Sequence, residues 1–243
     1  MKVAEKIVFL WNDPHGFATA IIGALNPNLN SSLRILEEPF ELPLDKYGIG
    51  DVSASGKIIH FVDENGVFQV SVLLLQSYEP PTTACAINEL LDQITRGLST
   101  LPTVVAPFLV AASKLKFQNR SLASRSENAN LCYVQLGPET GISKLCASRI
   151  QRPPPLLQIH YEPLSCFLQL ARVLRMPTTV LIGQRSTAIS NKALEEELQV
   201  IHEIGELVAS STGLCFSRDG IKWNVPKTSK EGGEEKPWLS LYG

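Results

Sequence analysis

His160, Tyr161 and Glu162 stand side by side where the run "LLQI" gives way to "YEPLSCFLQL". An imidazole, a phenol and a carboxyl at a strand-to-helix junction are groups that can move protons, and α/β sheets hold ligands in such crevices. A helix cap with loop packing accounts for the same three residues more simply. Elsewhere the spacing does not suit chemistry. In "GDVSASGK" (50–57) the glycines lie one residue too far apart for a phosphate loop, and Ile58 stands where Ser or Thr would follow the lysine. There is no G-x-G-x-x-G and no G-x-S-x-G. His15, His60, His160 and His202 are far apart, without an H-E-x-x-H, and read as structural or exposed histidines. Cys85, Cys132, Cys146, Cys166 and Cys215 form no C-x-x-C pair and read as buried small hydrophobes. No metal and no cofactor is implied, and we expect no enzyme.

The elements that would position these groups alternate between strand and helix. "KIVFLW" (6–11) is a strand. Asp13 is an N-cap and Pro14 a first helical residue, with Phe17, Ile21 and Leu25 along one face. Residues 26–56 are loop-rich, with a strand near Leu33–Leu36. "KIIHFVDENGVFQVSVLLLQ" is a hairpin about Asn65-Gly66, its second run apolar enough to be buried on both faces. A helix follows over 84–98, with Leu98 among its inward residues. A buried strand spans 102–115, where Pro107 limits its length or places it near an edge. Residues 117–130 are a polar loop and 131–136 a strand, and "RPPP" (152–155) is stiff and extended.

Glu162-Pro163 opens a helix with Phe167, Leu170, Ala171 and Leu174 on one face, and Met176-Pro177 ends it. Residues 178–183 are a strand. Ser190 caps the longest helix, whose core stripe is Leu194, Leu198, Ile201, Gly205 and Val208. Glu195, Glu196 and Glu197 make its solvated start, where the helix dipole favours negative charge, and Gly213 ends it. A second hairpin spans 214–225 about Asp219-Gly220. The pattern is an α/β single domain, residues 1–225, with a mixed β-sheet, helices on both faces and two hairpins. Residues 226–243 are a flexible C-terminal tail. The apolar strand segments 70–75, 104–111 and 178–182 either offer a face to a partner subunit or are covered by the protein's own helices.

In bulk the chain is ordinary: 243 residues, 44% hydrophobic, 19% charged, net charge −2. That charge draws it to neither nucleic acid nor an anionic membrane. No apolar run approaches the roughly 18–20 residues that span a bilayer. The run "IVFLW" is short for a secretory signal, so we expect a cytoplasmic or nuclear protein.

The tail is the unusual part. "PKTSKEGGEEKP" (226–237) has too little apolar surface to fold, so it reads as a tether. It ends on Trp238, Leu239, Ser240, Leu241, Tyr242 and Gly243, an apolar liability unless something binds it. Leu241-Tyr242-Gly243 resembles the hydrophobic–Tyr–any docking motif that proteasome activators and assembly chaperones insert between α-ring subunits. The order of elements is similar to that of the eukaryotic proteasome assembly chaperone 1 family. A hairpin leads to a helix, the buried strand "PTVVAPFLVAASK", a polar loop, and a proline-marked segment into "LARVLRMPTTVLIG". The resemblance covers about 57–190, by pattern. The helix 191–211 and the hairpin 214–225 have no counterpart in it, and the N-terminal region is short for the family.

The resemblance implies a non-enzymatic chaperone for 20S proteasome assembly. Its partners would be α-ring subunits and a second, related chaperone in a heterodimer. Leu241, Tyr242 and Gly243 are the partner-binding residues, with Trp238 and Leu239 beside them. The alternative is an α/β enzyme of nucleoside-phosphorylase-like or hydrolase-like type, with its site near His160–Glu162.

Overall fold

The computed structural model describes residues 1–117, 130–154, 156–185, 190–221 and 223. The polar loop at 117–130 and the tail, with Trp238, Leu239, Leu241, Tyr242 and Gly243, fall almost wholly outside these residues.

The strands are β1 (Lys6–Trp11), β2 (Leu25–Asn26), β3 (Arg34–Pro43), β4 (Ser53–Val62), β5 (Phe68–Leu75), β6 (Thr103–Ala111), β7 (Leu115–Phe117), β8 (Leu131–Leu136), β9 (Leu157–Ile159), β10 (Thr178–Arg185) and β11 (Cys215–Phe216). The helices are α1 (Phe17–Ala24), α2 (Thr82–Thr95), α3 (Gly141–Arg149), α4 (Glu162–Val173) and α5 (Asn191–Thr212). A seven-stranded sheet runs in the order β3-β4-β5-β1-β6-β10-β8. Its middle, β5-β1-β6-β10, is parallel, and the outer strands β3, β4 and β8 join antiparallel. The expected mixed α/β sheet is therefore present.

Both faces of the sheet are covered by the chain itself. Alternate residues of the central strands point to opposite sides. Ile7, Phe9, Leu73, Ala106 and Ile182 meet α2 and α4, and Phe9 stacks on Phe167 at 4.5 Å between centroids. Val8, Leu10, Val72, Val105 and Leu181 meet α1, α3 and α5. The apolar segments 70–75, 104–111 and 178–182 are thus packed under these helices rather than offered to a partner.

Pro107 sits inside the sheet, not at its rim. Thr103 N donates to Glu5 O on the β1 side, and Val104 N to Pro177 O on the β10 side. Alternation then turns the nitrogen of Pro107 toward β1, but the β1 ladder ends at Val105. The missing donor costs no bond, and β10 pairs along the whole strand.

Several expectations change. Helix α1 begins three residues after Pro14, with Gly16 as its N-cap residue at φ +82°. Asp13 still tends this end: its carboxylate accepts from His15 N at 2.9 Å and Ala18 N at 3.2 Å. The first hairpin forms as β4–β5, its turn held by Asp63 Oδ1, which accepts from Asn65 N and Val67 N. The loop-rich region contains β3, a ten-residue edge strand exposed over most of its length. Leu98 lies past the end of α2 and is exposed. Residues 141–149, without an assignment from sequence, form α3 behind a Thr140–Ser143 capping box. The second hairpin of the fold is β3–β4. Cys215 and Phe216 pair with β2, Asp219-Gly220 lie in a 3-10 turn, and the second arm of the hairpin expected over 214–225 falls largely outside the described residues. Of the cysteines only Cys146 is fully buried, and Cys215 is exposed.

Candidate functional site

The carboxyl ends of the parallel strands β1, β6 and β10 open at one edge of the sheet, where α/β folds place their ligands. After β1 come Asn12, Asp13 and His15. Asn12 Nδ2 donates to Gln76 Oε1 at 2.7 Å and ties this loop to the end of β5. The last residues of β10 are Gln184 and Arg185. The first two turns of α5, fixed by Ser190 capping Ala193 N at 3.1 Å, supply Ala193, Glu196 and Glu197. Asn130 enters next to β8, its carbonyl accepting from Gln184 N at 2.7 Å. Ala112, Asn130, Gln184, Arg185, Ala193, Glu196 and Glu197 line a cleft of about 170 Å³.

Arg185 and Glu197 are its charged heart. Arg185 Nε lies 3.1 Å from Glu197 Oε1, with side-chain exposures of 17% and 7%. The contact is close but poorly aligned, so Glu197 Oε1 has no well-formed hydrogen bond among the described residues. Burial raises the Glu197 carboxyl above its ordinary value, and Arg185 pulls the other way. His15 is held below its ordinary value by burial and by the charge of Arg185, against the pull of Asp13. The groups therefore sense one another across the strand ends.

Glu197 corrects the expectation of a solvated acidic triplet. Glu195 and Glu196 are exposed as expected, but Glu197 is buried. The buried stripe of α5 runs through Ala193, Glu197, Val200, Ile201, Ile204 and Val208, rotated from the expected line through Leu194 and Leu198, which are half-buried. The signal was in the spacing: Glu197 lies four residues before Ile201 and eight before Gly205, on the apolar stripe.

The three residues at 160–162 do not converge. His160 is exposed, its backbone N donating to Lys114 O at 2.7 Å. Tyr161 turns inward, its ring edge-on to Phe108, and burial pushes its hydroxyl up to about 12. Glu162 begins α4. The helix-cap and packing account fits these residues. Gly50–Lys57 is no phosphate cradle either, since Ser53 onward is strand β4. His60 is a core residue bonded to Ser71 Oγ at 2.9 Å and stacked on Phe68. Burial pushes the Cys132 and Cys146 thiols up to about 11, the opposite of nucleophile activation. Among the described residues no cluster of His, Cys, Asp and Glu could hold a metal ion.

The fold and crevice define an α/β domain with a mixed sheet and a polar cleft at its strand ends. The chain belongs to the family described as Domain of unknown function (DUF7894), whose model matches residues 1–243. No curated protein matches it by sequence. Among solved structures it is similar to Pyrococcus furiosus PbaB, an archaeal proteasome activator, at 9% identity and TM-score 0.47, covering 91% of this chain and 89% of that one. It is also similar to the Helicobacter pylori MTAN at 10% identity and TM-score 0.44, covering 86% and 99%. A proteasome-assembly chaperone homologue from Mycobacterium tuberculosis is similar at 12% identity and TM-score 0.36, covering 86% and 91%. Proteasome-associated proteins and an MTAN thus appear side by side, and these likenesses do not separate the two functional readings.

Proposed function

We propose that this protein is a non-enzymatic chaperone for assembly of the 20S proteasome α-ring. It works in the cytoplasm or nucleus with a related α/β chaperone as a heterodimer. It docks through Leu241, Tyr242 and Gly243, with Trp238 and Leu239 beside them, and needs no cofactor. The observation that carries this reading is the sequence of the tail. A polar tether of 226–237 is followed by an apolar cluster ending in Leu-Tyr-Gly. A terminal carboxylate and an aromatic anchor together suit a pocket with a basic floor and an apolar mouth. His160 is exposed and Tyr161 turns inward against Phe108, which speaks against the enzyme alternative placed at these residues.

The test is a pull-down with the full chain and with a chain truncated after Ser240, read by mass spectrometry of co-purifying subunits. Proteasome α subunits should be recovered with the first and lost with the second. A C-terminal tag, which moves the negative charge away from Gly243, should act like the truncation, and an N-terminal tag should not. Equal recovery with both tags would overturn the docking role of the tail.

A further inference from the structure

We propose that the cleft between the end of β10 and the start of α5 binds a small zwitterion, a free α-amino acid with a short side chain. The site is built from opposite charges already removed from water. Glu197 is more than nine-tenths buried and Arg185 more than four-fifths, and both line the cleft. Their mutual contact, Nε to Oε1, is too poorly aligned to satisfy that oxygen, so among the described residues Glu197 Oε1 still lacks a well-formed hydrogen bond. Burying such a pair is costly unless further hydrogen bonds complete it.

A single ion would satisfy one member of the buried pair and repel the other; the third charged group of the lining, Glu196, is exposed, with its Oε1 3.9 Å from Lys192 Nζ. A ligand with an ammonium and a carboxylate on the same carbon meets both: the ammonium donates to Glu197, and the guanidinium donates to the carboxylate. The amides of Asn130 and Gln184 offer neutral hydrogen-bond partners on the same wall. The methyl groups of Ala112 and Ala193 provide the apolar part, suited to a short side chain. At about 170 Å³ the cleft is smaller than the roughly 300–1,000 Å³ of pockets that take drug-sized ligands. Its place at the carboxyl ends of parallel strands is where α/β sheets bind ligands. This inference is independent of the tail and of proteasome docking.

The experiment is calorimetric titration of the full-length protein with L-alanine and L-serine, beside methylamine and acetate as the two halves of the ligand. The amino acids should bind with about millimolar affinity, and each half at least about tenfold more weakly. Arg185→Met and Glu197→Gln should each weaken amino-acid binding by about tenfold or more. Because breaking a buried pair can unfold a protein, Ala193→Leu serves as the second variant. It fills the cleft from the α5 side with the ion pair intact, and it should abolish binding while the circular dichroism spectrum is unchanged. Absence of millimolar binding by both amino acids would overturn the proposal. So would acetate or methylamine binding as tightly as alanine, or undiminished binding by the folded Ala193→Leu protein.

Discussion

The ring of Phe216 lies against Gly205, in the space that any β-carbon at that position would need. This contact draws β11 onto α5 and lets it pair with β2. Gly205→Ala should therefore force the ring out and cost about 1–3 kcal/mol of stability, as overpacking typically does. Urea denaturation of the two proteins measures this. An alanine variant as stable as the parent would show that Phe216 moves aside freely.

His60 makes stability depend on pH. It is buried, with its ring against Phe68, and burial holds its pKa below 6.5, with a lesser upward pull from Glu38 and a lesser downward one from Lys2. The unfolded chain takes up the proton first as the pH falls. Stability is therefore complete above about 6.5 and declines as the pH falls from there toward the lower folded value. His60→Gln should flatten this dependence between about pH 7 and pH 5, seen as a smaller shift in melting temperature. An unchanged slope would assign the effect to His15 and His202, whose values are also lowered.

The open edge of β3 is blunted by its prolines. Gln76 N donates to Ser55 O, so the odd residues of β4 face β5 and the even ones face β3. In register, the even residues of β3 make the ladder while Ile35, Glu37, Pro39, Glu41 and Pro43 face outward. Pro39 and Pro43 therefore lack a donor only where no strand is waiting. Pro39→Val should restore an outward donor with little change in stability and raise self-association, measured by light scattering against concentration. A variant that stays as monodisperse as the parent would mean that the glutamates alone guard this edge.

In the tail, Tyr242→Ala should weaken α-ring binding by about thirtyfold, the loss of an aromatic anchor worth about 2 kcal/mol. Leu241→Ala should cost less. Truncation after Ser240 should leave the melting temperature of the domain unchanged. A lowered melting temperature would show that these residues pack on the fold.

How legible the fold was in the sequence depended on how one-sided each element is. Helices α4 and α5 and the β4–β5 hairpin carry strong periodicity or a turn signal, and they appear within a few residues of their expected limits. Helix α3 is nearly as polar as it is apolar and buries little beyond Ile142, Ser143 and Cys146, so no stripe marks it. Strand β3 is exposed on both faces, so no alternation reveals it. Asp219-Gly220 has hairpin composition, but the tertiary contact of Phe216 with Gly205 settles where that segment goes. The cleft was hidden for a related reason. Arg185 and Glu197 are separated by a segment boundary, and only the sheet and the α5 cap bring them together.

Strand β1 is made first yet lies in the middle of the sheet, flanked by β5 and β6. During synthesis its apolar residues Ile7 to Trp11 must wait for both neighbours, and β6 ends only at Ala111. At about 5–20 residues per second, that is a delay of roughly 5–20 s in which β1 lacks at least one of its two neighbours. Native contacts between residues 6–11 and 68–111 are distant in sequence and raise the contact order of the domain, which slows folding. The nascent chain therefore carries an incompletely flanked apolar β1 until Ala111 has been made.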